Sequence, residues 1–262
     1  VKSVTVFPNN PAREQFLPSV HGICTVFDEC TGQVRALIDS ELLTYWKTAA
    51  DSVLGARLLG PAEPEHLLIF GAGQVARALI DAYTSIFPSI ATVTLCVRRL
   101  QSADWLRQKL AADERRRTFA LRISTEPVAV VPLADIVATA TTSETPVLQG
   151  DWLTAGAHVD LVGAYTVSMR EADDNTLQRG ALYVDCSDTT VDHIGELVVP
   201  LASGAIKPDS VLGDLYDLIM QSPEDGERIW DPQQITIFKN GGGAHLDLMV
   251  AHHLMSLVPE GV

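Results

Sequence analysis

The 262-residue sequence has few cysteines and no long apolar run. Its four cysteines, Cys24, Cys30, Cys96 and Cys186, are scattered, and none forms the C-x-x-C pair that is typical of zinc sites and redox motifs. With no metal-like spacing among the histidines either, we expect reduced thiols, no metal site and a cytoplasmic protein. No apolar run reaches the roughly 18 residues of a membrane span, and the start has no signal-peptide pattern, so no membrane partner is expected.

Basic residues are also in short supply. Nineteen lysines and arginines stand against 33 aspartates and glutamates, which gives a formal net charge of −14. A field of this sign repels phosphate backbones, so nucleic acid is not an expected partner. The run of Arg115, Arg116 and Arg117 is interpreted as a solvated loop or helix end. An anionic ligand must then be bound by a local group of basic side chains and helix amino termini.

Alternating apolar segments predict a mixed α/β protein. Residues 1–39 have β character, with a hairpin over 23–27 and 34–38, and a helix follows that ends before Gly60. Further strands are predicted at 67–70, 92–97, 135–140, 158–162, 181–186 and 235–238, and further helices at 74–85, 103–112 and 244–258. This alternation favours a doubly wound, mainly parallel sheet with helices on both faces.

A glycine-rich turn follows strand 67–70. Its residues match the G-x-G-x-x-A form of the dinucleotide fingerprint, and they are Gly71, Ala72, Gly73, Gln74, Val75 and Ala76. The match alone is weak, but a buried-strand run precedes it and an amphipathic helix begins directly after it. Gly71 permits the tight turn, Gly73 lets the backbone approach a pyrophosphate, and Ala76 lets the helix pack on the strand. We therefore predict a Rossmann-type domain that binds a dinucleotide here.

The end of the second strand distinguishes the two nicotinamide cofactors. An acidic residue there favours NADH, whereas a basic residue favours the 2′-phosphate of NADPH. Strand 92–97 is followed by Arg98 and Arg99, with no carboxylate at the junction. NADPH is therefore the favoured cofactor and NADH the alternative, and a surface role for either arginine is the competing interpretation.

Several separate motifs occur in order along nearly the whole chain. They lie at residues 1–10, 46–52, 71–76, 160–164, 170–173, 195–197 and 238–242, followed by Asp247. Together they resemble the ornithine cyclodeaminase/mu-crystallin family. The resemblance implies a Rossmann domain at 61–240 and a smaller β-rich domain, for substrate binding and dimerisation, formed by residues 1–60 with 241–262. It also implies a homodimer, and an upstream segment that the numbered chain is expected to lack.

Two lysines are the catalytic candidates that this resemblance indicates. The family lysine that matches Lys2 faces the substrate carboxylate, and the position of Lys47 is usually an arginine that binds the same carboxylate. A lysine there keeps the charge and loses the bidentate fork. The alternative for Lys47 is a surface pair with Asp51, four residues away on the helix. Lys2 is expected either to donate a proton or to hold the carboxylate.

The same resemblance extends to the cofactor site. The Thr48 hydroxyl is expected to share the phosphate end with the glycine turn, and Lys239 is expected near the nicotinamide carboxamide. Thr139, Ala140 and Thr141 stand at the carboxyl end of a predicted strand, where ligands of open α/β sheets bind, so we expect them to flank the nicotinamide.

One departure from the family pattern bears on the reaction. Ornithine cyclodeaminases carry an aspartate shortly after strand 158–162, where this chain has Tyr165, and a phenol with a pKa near about 10 is no substitute for a carboxylate base. The nearby Glu171, Asp173 and Asp174 are expected to be structural. The motif around Lys47 resembles the branch that reduces the cyclic ketimines pyrroline-2-carboxylate and piperideine-2-carboxylate to proline and pipecolate. The alternatives are an ornithine cyclodeaminase, an alanine dehydrogenase-like oxidoreductase and a non-catalytic NADPH-binding protein.

Overall fold

The structure is a computed structural model that describes residues 1–7, 10, 20–113, 119–221 and 231–258. The arginine run at 115–117 lies outside these ranges. The chain divides into two compact units, Val1–Thr48 with Ala244–Val262 and Ala49–Gly243. It stays a prediction that the first unit binds the substrate and that the second unit binds the dinucleotide.

The first unit contains an antiparallel sheet of three strands in the order β1-β2-β3. The elements are β1 (Lys2–Val6), β2 (Val20–Phe27), β3 (Val34–Asp39), the start of α1 (Ser40–Leu59) and α9 (Ala244–Leu257). Lys2 lies opposite Cys24 in the register of β1 and β2. Cys24, Leu43 and Ala251 form the buried centre of a small apolar cluster, so one face of the sheet packs against both helices.

The second unit is built on an eight-stranded sheet in which every neighbouring pair is parallel. Its strands are β4 (His66–Phe70), β5 (Thr92–Cys96), β6 (Ala120–Ser124), β7 (Ile136–Thr139), β8 (His158–Leu161), β9 (Ala181–Val184), β10 (Val211–Asp214) and β11 (Thr236–Lys239). Their order is β10-β9-β11-β8-β7-β4-β5-β6. The predicted doubly wound α/β fold is confirmed.

Two strands, β6 and β10, were not predicted from the sequence. Both lie at the edges of the sheet and are only partly buried. An edge strand needs no continuous apolar run, so the pattern that reveals the inner strands is absent from them. The inner strands β4, β7, β8, β9 and β11 are buried throughout.

Helices connect the strands of this unit. Besides the rest of α1 they are α2 (Gln74–Ile86), α3 (Asp104–Ala112), α4 (Pro127–Val130), α5 (Asp174–Arg179), α6 (Ser187–Thr190), α7 (Gly195–Ser203) and α8 (Leu215–Gln221). Strand β4 has β5 on one side and β7 on the other, so the strand order reverses here. The carboxyl ends of β4 and β7 thus border the crevice where open α/β sheets bind ligands. Within the described ranges, no helix is long and apolar enough to cross a membrane.

Candidate active site

The turn after β4 favours glycine at its first position. Gly71 has a φ of 111°, and its N–H donates to the Cys96 carbonyl oxygen at 3.0 Å. A Cβ at Gly71 would lie 2.5 Å from the carbonyl oxygen of Ala140, just beyond β7. The absent side chain therefore lets the ends of β4, β5 and β7 meet closely.

The second glycine of the turn faces open space. Gly73 precedes α2 with a φ of −92°, and a Cβ built on it meets no atom within 4 Å. It has no side chain that caps the helix, so the first N–H groups of α2, from Gln74 and Val75 onward, are left for an external acceptor. Ala72 is half-buried between the glycines, and Ala76 is fully buried. This turn fits the pyrophosphate of a dinucleotide.

Two exposed arginines follow the neighbouring strand. Arg98 and Arg99 come directly after Val97, just past the end of β5, and both are exposed. The hydrogen bond from Gly71 to Cys96 ties the glycine turn to the same end of β5. The arginines therefore lie at the carboxyl end of β5. In Rossmann folds, residues at this end of the second strand contact the ribose of the cofactor.

A buried carboxylate organises the ends of β7 and β8. Glu171 is fully buried, and its two oxygens accept five hydrogen bonds. The donors are Thr139 Oγ1 at 2.7 Å, Thr141 N and Oγ1 at 2.7 Å each, Gly163 N at 2.6 Å and Ala164 N at 3.1 Å. A Cβ at Gly163 would lie 2.2 Å from the Thr141 carbonyl oxygen, so glycine is needed for this approach. Glu171 thus has the structural role expected of it.

A second buried carboxylate, Glu196, binds the backbone at Glu171. Glu196, near the start of α7, is fully buried and accepts the backbone N–H groups of Glu171 at 2.8 Å and Ala172 at 2.9 Å. Burial raises the pKa of Glu196 to about 7, although Lys239 and both N–H groups act in the opposite direction. The backbone on either side of Glu171 is thereby held by a side chain from another element.

The Lys239 side chain binds backbone carbonyl groups, and the expected position of this residue near the nicotinamide carboxamide stays a prediction. Its side chain is fully buried and donates to the carbonyl oxygens of Leu161 at 2.9 Å, Ala164 at 2.9 Å and Asn240 at 2.6 Å. Burial lowers the pKa of Lys239, while Glu196 and other carboxylates raise it. Three acceptors use all three ammonium protons, so the side chain has none to offer a cofactor. It ties the ends of β8 and β11 together.

A third buried carboxylate was missed by the sequence reasoning. Asp160 in β8 accepts hydrogen bonds from Ser52 Oγ at 3.1 Å and from Tyr83 Oη at 2.9 Å, and Asn240 Nδ2 donates to Ser52 Oγ at 2.9 Å. Burial raises the pKa of Asp160 to about 7. The sequence did contain a sign of this cluster. Each of its three members, Ser52, Asp160 and Asn240, lies in a segment that resembles the family.

The two candidate lysines of the first unit share one carboxylate. Lys2 Nζ donates to Asp247 Oδ1 at 2.9 Å and to Thr44 Oγ1 at 2.6 Å, and Lys47 Nζ donates to Asp247 Oδ2 at 3.2 Å. Thr44 Oγ1 in turn donates to the Ser40 carbonyl at 2.7 Å. The Lys47 side chain is 6% exposed and that of Lys2 is 20% exposed, so both depend on the ion pair. The structure thus brings Lys2 and Lys47 together.

Asp247 is the partner of both lysines, and it was not identified from the sequence. It lies on α9, 200 residues from Lys47, and only its place in the last matching motif marked it. Thr48 follows Lys47 on α1 and is half-buried, and its contact with a phosphate stays a prediction.

Tyr165 is the residue at the position of the family aspartate, and Asp173 and Asp174 follow it along the chain. Tyr165 is 60% exposed. Asp173 caps α5 through the Thr176 N–H at 2.8 Å and also accepts from Gly150 N, whereas Asp174 pairs with Arg170. Both carboxylates therefore have structural partners. Among the residues with described positions, no group of three or more His, Cys, Asp or Glu side chains is placed to bind a metal ion.

The parallel sheet, its reversal between β4 and β7 and the glycine turn define a Rossmann-type dinucleotide-binding protein. The model of the ornithine cyclodeaminase/mu-crystallin family matches residues 1–259, and the chain belongs to this family.

Three similar proteins illustrate the relationship. A Delta(1)-pyrroline-2-carboxylate reductase of Paracoccus denitrificans (strain Pd 1222) is 49% identical over 253 residues, which cover 97% of this chain and 77% of the relative. One of Colwellia psychrerythraea (strain 34H) is 34% identical over 259 residues, 99% of this chain and 80% of the relative. The solved structure of Thermococcus litoralis Delta(1)-pyrroline-2-carboxylate reductase with NADH and L-proline superposes with a TM-score of 0.88 at 24% identity, covering 97% of this chain and 76% of that one.

Proposed function

We propose that the protein is an NAD(P)H-dependent reductase of cyclic ketimine carboxylates. Its substrates are Δ1-pyrroline-2-carboxylate, Δ1-piperideine-2-carboxylate or both, and its products are L-proline and L-pipecolate. The observation that carries the proposal is the pair of Lys2 and Lys47 on the two oxygens of Asp247, in a chain that also has the glycine turn. The 49% identity to a Delta(1)-pyrroline-2-carboxylate reductase supports the same reaction.

The lysine pair can bind the substrate carboxylate. In the structure each ammonium group binds a different oxygen of one carboxylate, at 2.9 Å and 3.2 Å. A substrate carboxylate offers the same two oxygens, and charge-assisted hydrogen bonds to it are stronger than neutral ones. Lys2 is the more accessible of the two, so it also serves the second need of the reaction, a positive group or proton beside the imine nitrogen.

The glycine turn and the strand ends beside it would hold the cofactor. NAD(P)H supplies the hydride when it is bound. The open space at Gly73 and the uncapped start of α2 suit the pyrophosphate, and Arg98 or Arg99 suits the 2′-phosphate of NADPH. The segment Thr139 to Thr141, beside β4 and hydrogen-bonded to Glu171, suits the nicotinamide side. NADPH is the preferred cofactor in this proposal.

A cytoplasmic homodimer is part of the same proposal. Free thiols at Cys24, Cys30, Cys96 and Cys186 suit a reducing compartment. The homodimer follows from the family resemblance, and a solved neighbour in the same fold is described as an alanine dehydrogenase dimer. Size-exclusion chromatography with light scattering tests the dimer.

The decisive assay follows NADPH and NADH consumption with both ketimine carboxylates, with ornithine plus oxidised cofactor as the control. We expect rapid oxidation with at least one imine, a preference for NADPH, and no reaction of ornithine because Tyr165 replaces the carboxylate base. Lys109→Ala, at an exposed lysine of α3, is the control for variants of the two candidate lysines, Lys2 and Lys47. Turnover of ornithine indicates the cyclodeaminase, and pyruvate with ammonia tests the alanine dehydrogenase-like alternative. Cofactor binding without any turnover would leave the non-catalytic alternative.

A further inference from the structure

The Glu171 carboxylate is bonded to the segment that the proposed function puts beside the nicotinamide. It accepts from Thr139 Oγ1 and from the N–H and hydroxyl groups of Thr141, each at 2.7 Å. All five of its partners are N–H or O–H donors, which is the pattern of an ionised carboxylate. The residue is fully buried, so water screens its charge little. A ring that packs on residues 139–141 therefore lies close to a weakly screened negative charge.

The buried cation of this region does not neutralise that charge. The Lys239 ammonium group makes its hydrogen bonds to three backbone carbonyls, and it acts electrostatically on four buried carboxyl groups at once. These carboxyl groups belong to Glu171, Glu196, Asp160 and Asp185. Arg170, the neighbour of Glu171 in sequence, pairs with Asp174. Among the residues that the structure describes, negative groups therefore outnumber positive ones around Glu171.

The proposed reaction creates a positive charge on the cofactor. The C–H bond of the reduced nicotinamide breaks, its hydride joins the carbon of the protonated imine, and the ring keeps one positive charge. Groups fixed in advance where charge develops lower a reaction barrier, and charges near a cofactor ring tune its electronic properties. A negative charge beside the ring therefore favours its oxidised form.

We propose that the negative charge of Glu171 stabilises the positively charged, oxidised nicotinamide ring and so favours transfer of the hydride to the substrate. The inference rests on the proposed function, because it takes residues 139–141 as the nicotinamide side. It gives Glu171 two roles: its hydrogen bonds set the backbone, and its charge acts on the ring. The two roles can be separated, since the backbone serves both forms of the cofactor and the charge distinguishes between them.

The test compares two dinucleotides that differ in the charge of one ring. NAD⁺ has a cationic nicotinamide, and benzamide adenine dinucleotide has a neutral benzamide ring of nearly the same shape. Both share the pyrophosphate and both lack the 2′-phosphate, so contacts at the glycine turn and at the arginines cancel in the ratio of their dissociation constants. Each is titrated calorimetrically without substrate. The wild type should bind NAD⁺ at least about tenfold more tightly, the size expected for one charge in a partly screened site.

Two variants of Glu171 separate charge from shape. Glu171→Gln keeps nearly the same shape without the charge, so the preference for NAD⁺ should fall at least about fivefold, while the loss of an acceptor weakens both ligands alike. Glu171→Asp keeps the charge on a shorter side chain, so both affinities should fall and the ratio should stay within about twofold of the wild type. Glu126→Gln removes a negative charge at an exposed position and should leave the ratio unchanged.

Two outcomes overturn the inference: a ratio near one in the wild type, or a ratio in Glu171→Gln equal to that of the wild type. The first needs no variant, so it decides even if Glu171→Gln does not fold. A folded Glu171→Asp variant that loses the preference also overturns the inference, since its charge is retained. Failure of the proposed function is seen separately, because the wild type would then reduce no cyclic imine whatever its ratio. An active wild type with a ratio near one rejects the role of the Glu171 charge alone.

Discussion

Thr141 donates twice to Glu171, once through its backbone N–H and once through its hydroxyl, both at 2.7 Å. The same carboxylate holds Thr139, Gly163 and Ala164, so one buried side chain sets the backbone at the ends of two adjacent strands. These ends border the crevice beside the glycine turn. From this relationship we infer that Glu171 positions the backbone of the proposed nicotinamide side of the cofactor site.

Replacing Glu171 by glutamine should weaken cofactor binding. The glutamine NH₂ group would face the N–H and O–H groups that now donate to Glu171. At least one of these donors would lose its acceptor, which costs about 1–3 kcal/mol of free energy. We expect the NADPH dissociation constant to rise by about tenfold to a hundredfold, measured by nicotinamide fluorescence at a temperature where the variant is folded. Glu126→Gln, at an exposed position, is the control. A lower melting temperature with unchanged cofactor affinity would show a purely structural role.

The two glycines of the turn should respond differently to alanine. Gly71→Ala forces a Cβ to 2.5 Å from the Ala140 oxygen at a φ of 111°, so we expect a loss of about 1–3 kcal/mol in the free energy of unfolding. Gly73→Ala meets no protein atom within 4 Å and should leave that free energy nearly unchanged. Its methyl group enters the space that the pyrophosphate needs, so cofactor affinity should still fall at least about tenfold.

Urea unfolding and cofactor titration measure both effects of these alanine variants. The interpretation of the turn as a pyrophosphate site is wrong if Gly73→Ala binds the cofactor as tightly as the wild type does.

Substitutions at Lys2 separate its two candidate roles. Lys2→Met removes both the charge and the proton, and kcat/KM for the cyclic imine should fall by about a thousandfold or more. Lys2→Arg keeps the charge but does not release a proton at working pH. A carboxylate clamp predicts substantial recovery in Lys2→Arg, whereas a proton donor predicts a low kcat with a near-normal KM. Near-normal turnover of Lys2→Met removes this residue from the mechanism.

Ionisation of Asp160 should make stability depend on pH. Its pKa is raised to about 7 by burial, above the unfolded value of about 3.9. Between these values the folded state keeps a proton that the unfolded state has released, so this group's contribution to stability is greatest below about pH 4 and is lost as the pH rises to about 7. Asp160→Asn lacks this titration, and its stability relative to the wild type should increase between pH 5 and pH 8.

Urea unfolding at both pH values measures this difference for Asp160→Asn and for the exposed control Asp209→Asn. Parallel pH dependence in the wild type and Asp160→Asn would show that Asp160 is ionised in the folded protein throughout this range.

Much of the fold can be predicted from local patterns, because an inner parallel strand is apolar along its whole length and a fingerprint turn needs its glycines at fixed positions. Strands β4, β7, β8 and β11 and helices α1, α2 and α9 were predicted within a few residues of their observed bounds. Helix α7 was not predicted, and it contains Pro200, a residue that usually marks a helix end. Edge strands β6 and β10 lacked the apolar run.

The sequence by itself determined the class of fold and the position of the glycine-rich turn, and its family resemblance indicated the two candidate lysines and the absence of a carboxylate at Tyr165. Each of these depends on residue identity or on neighbours along the chain. Only the tertiary structure showed that Asp247 joins Lys2 to Lys47, that Glu171 collects donors from two strand ends and that Lys239 is enclosed by carbonyl groups. These relations depend on burial and on contacts between distant segments, because a buried charge takes its partner from whichever element packs against it.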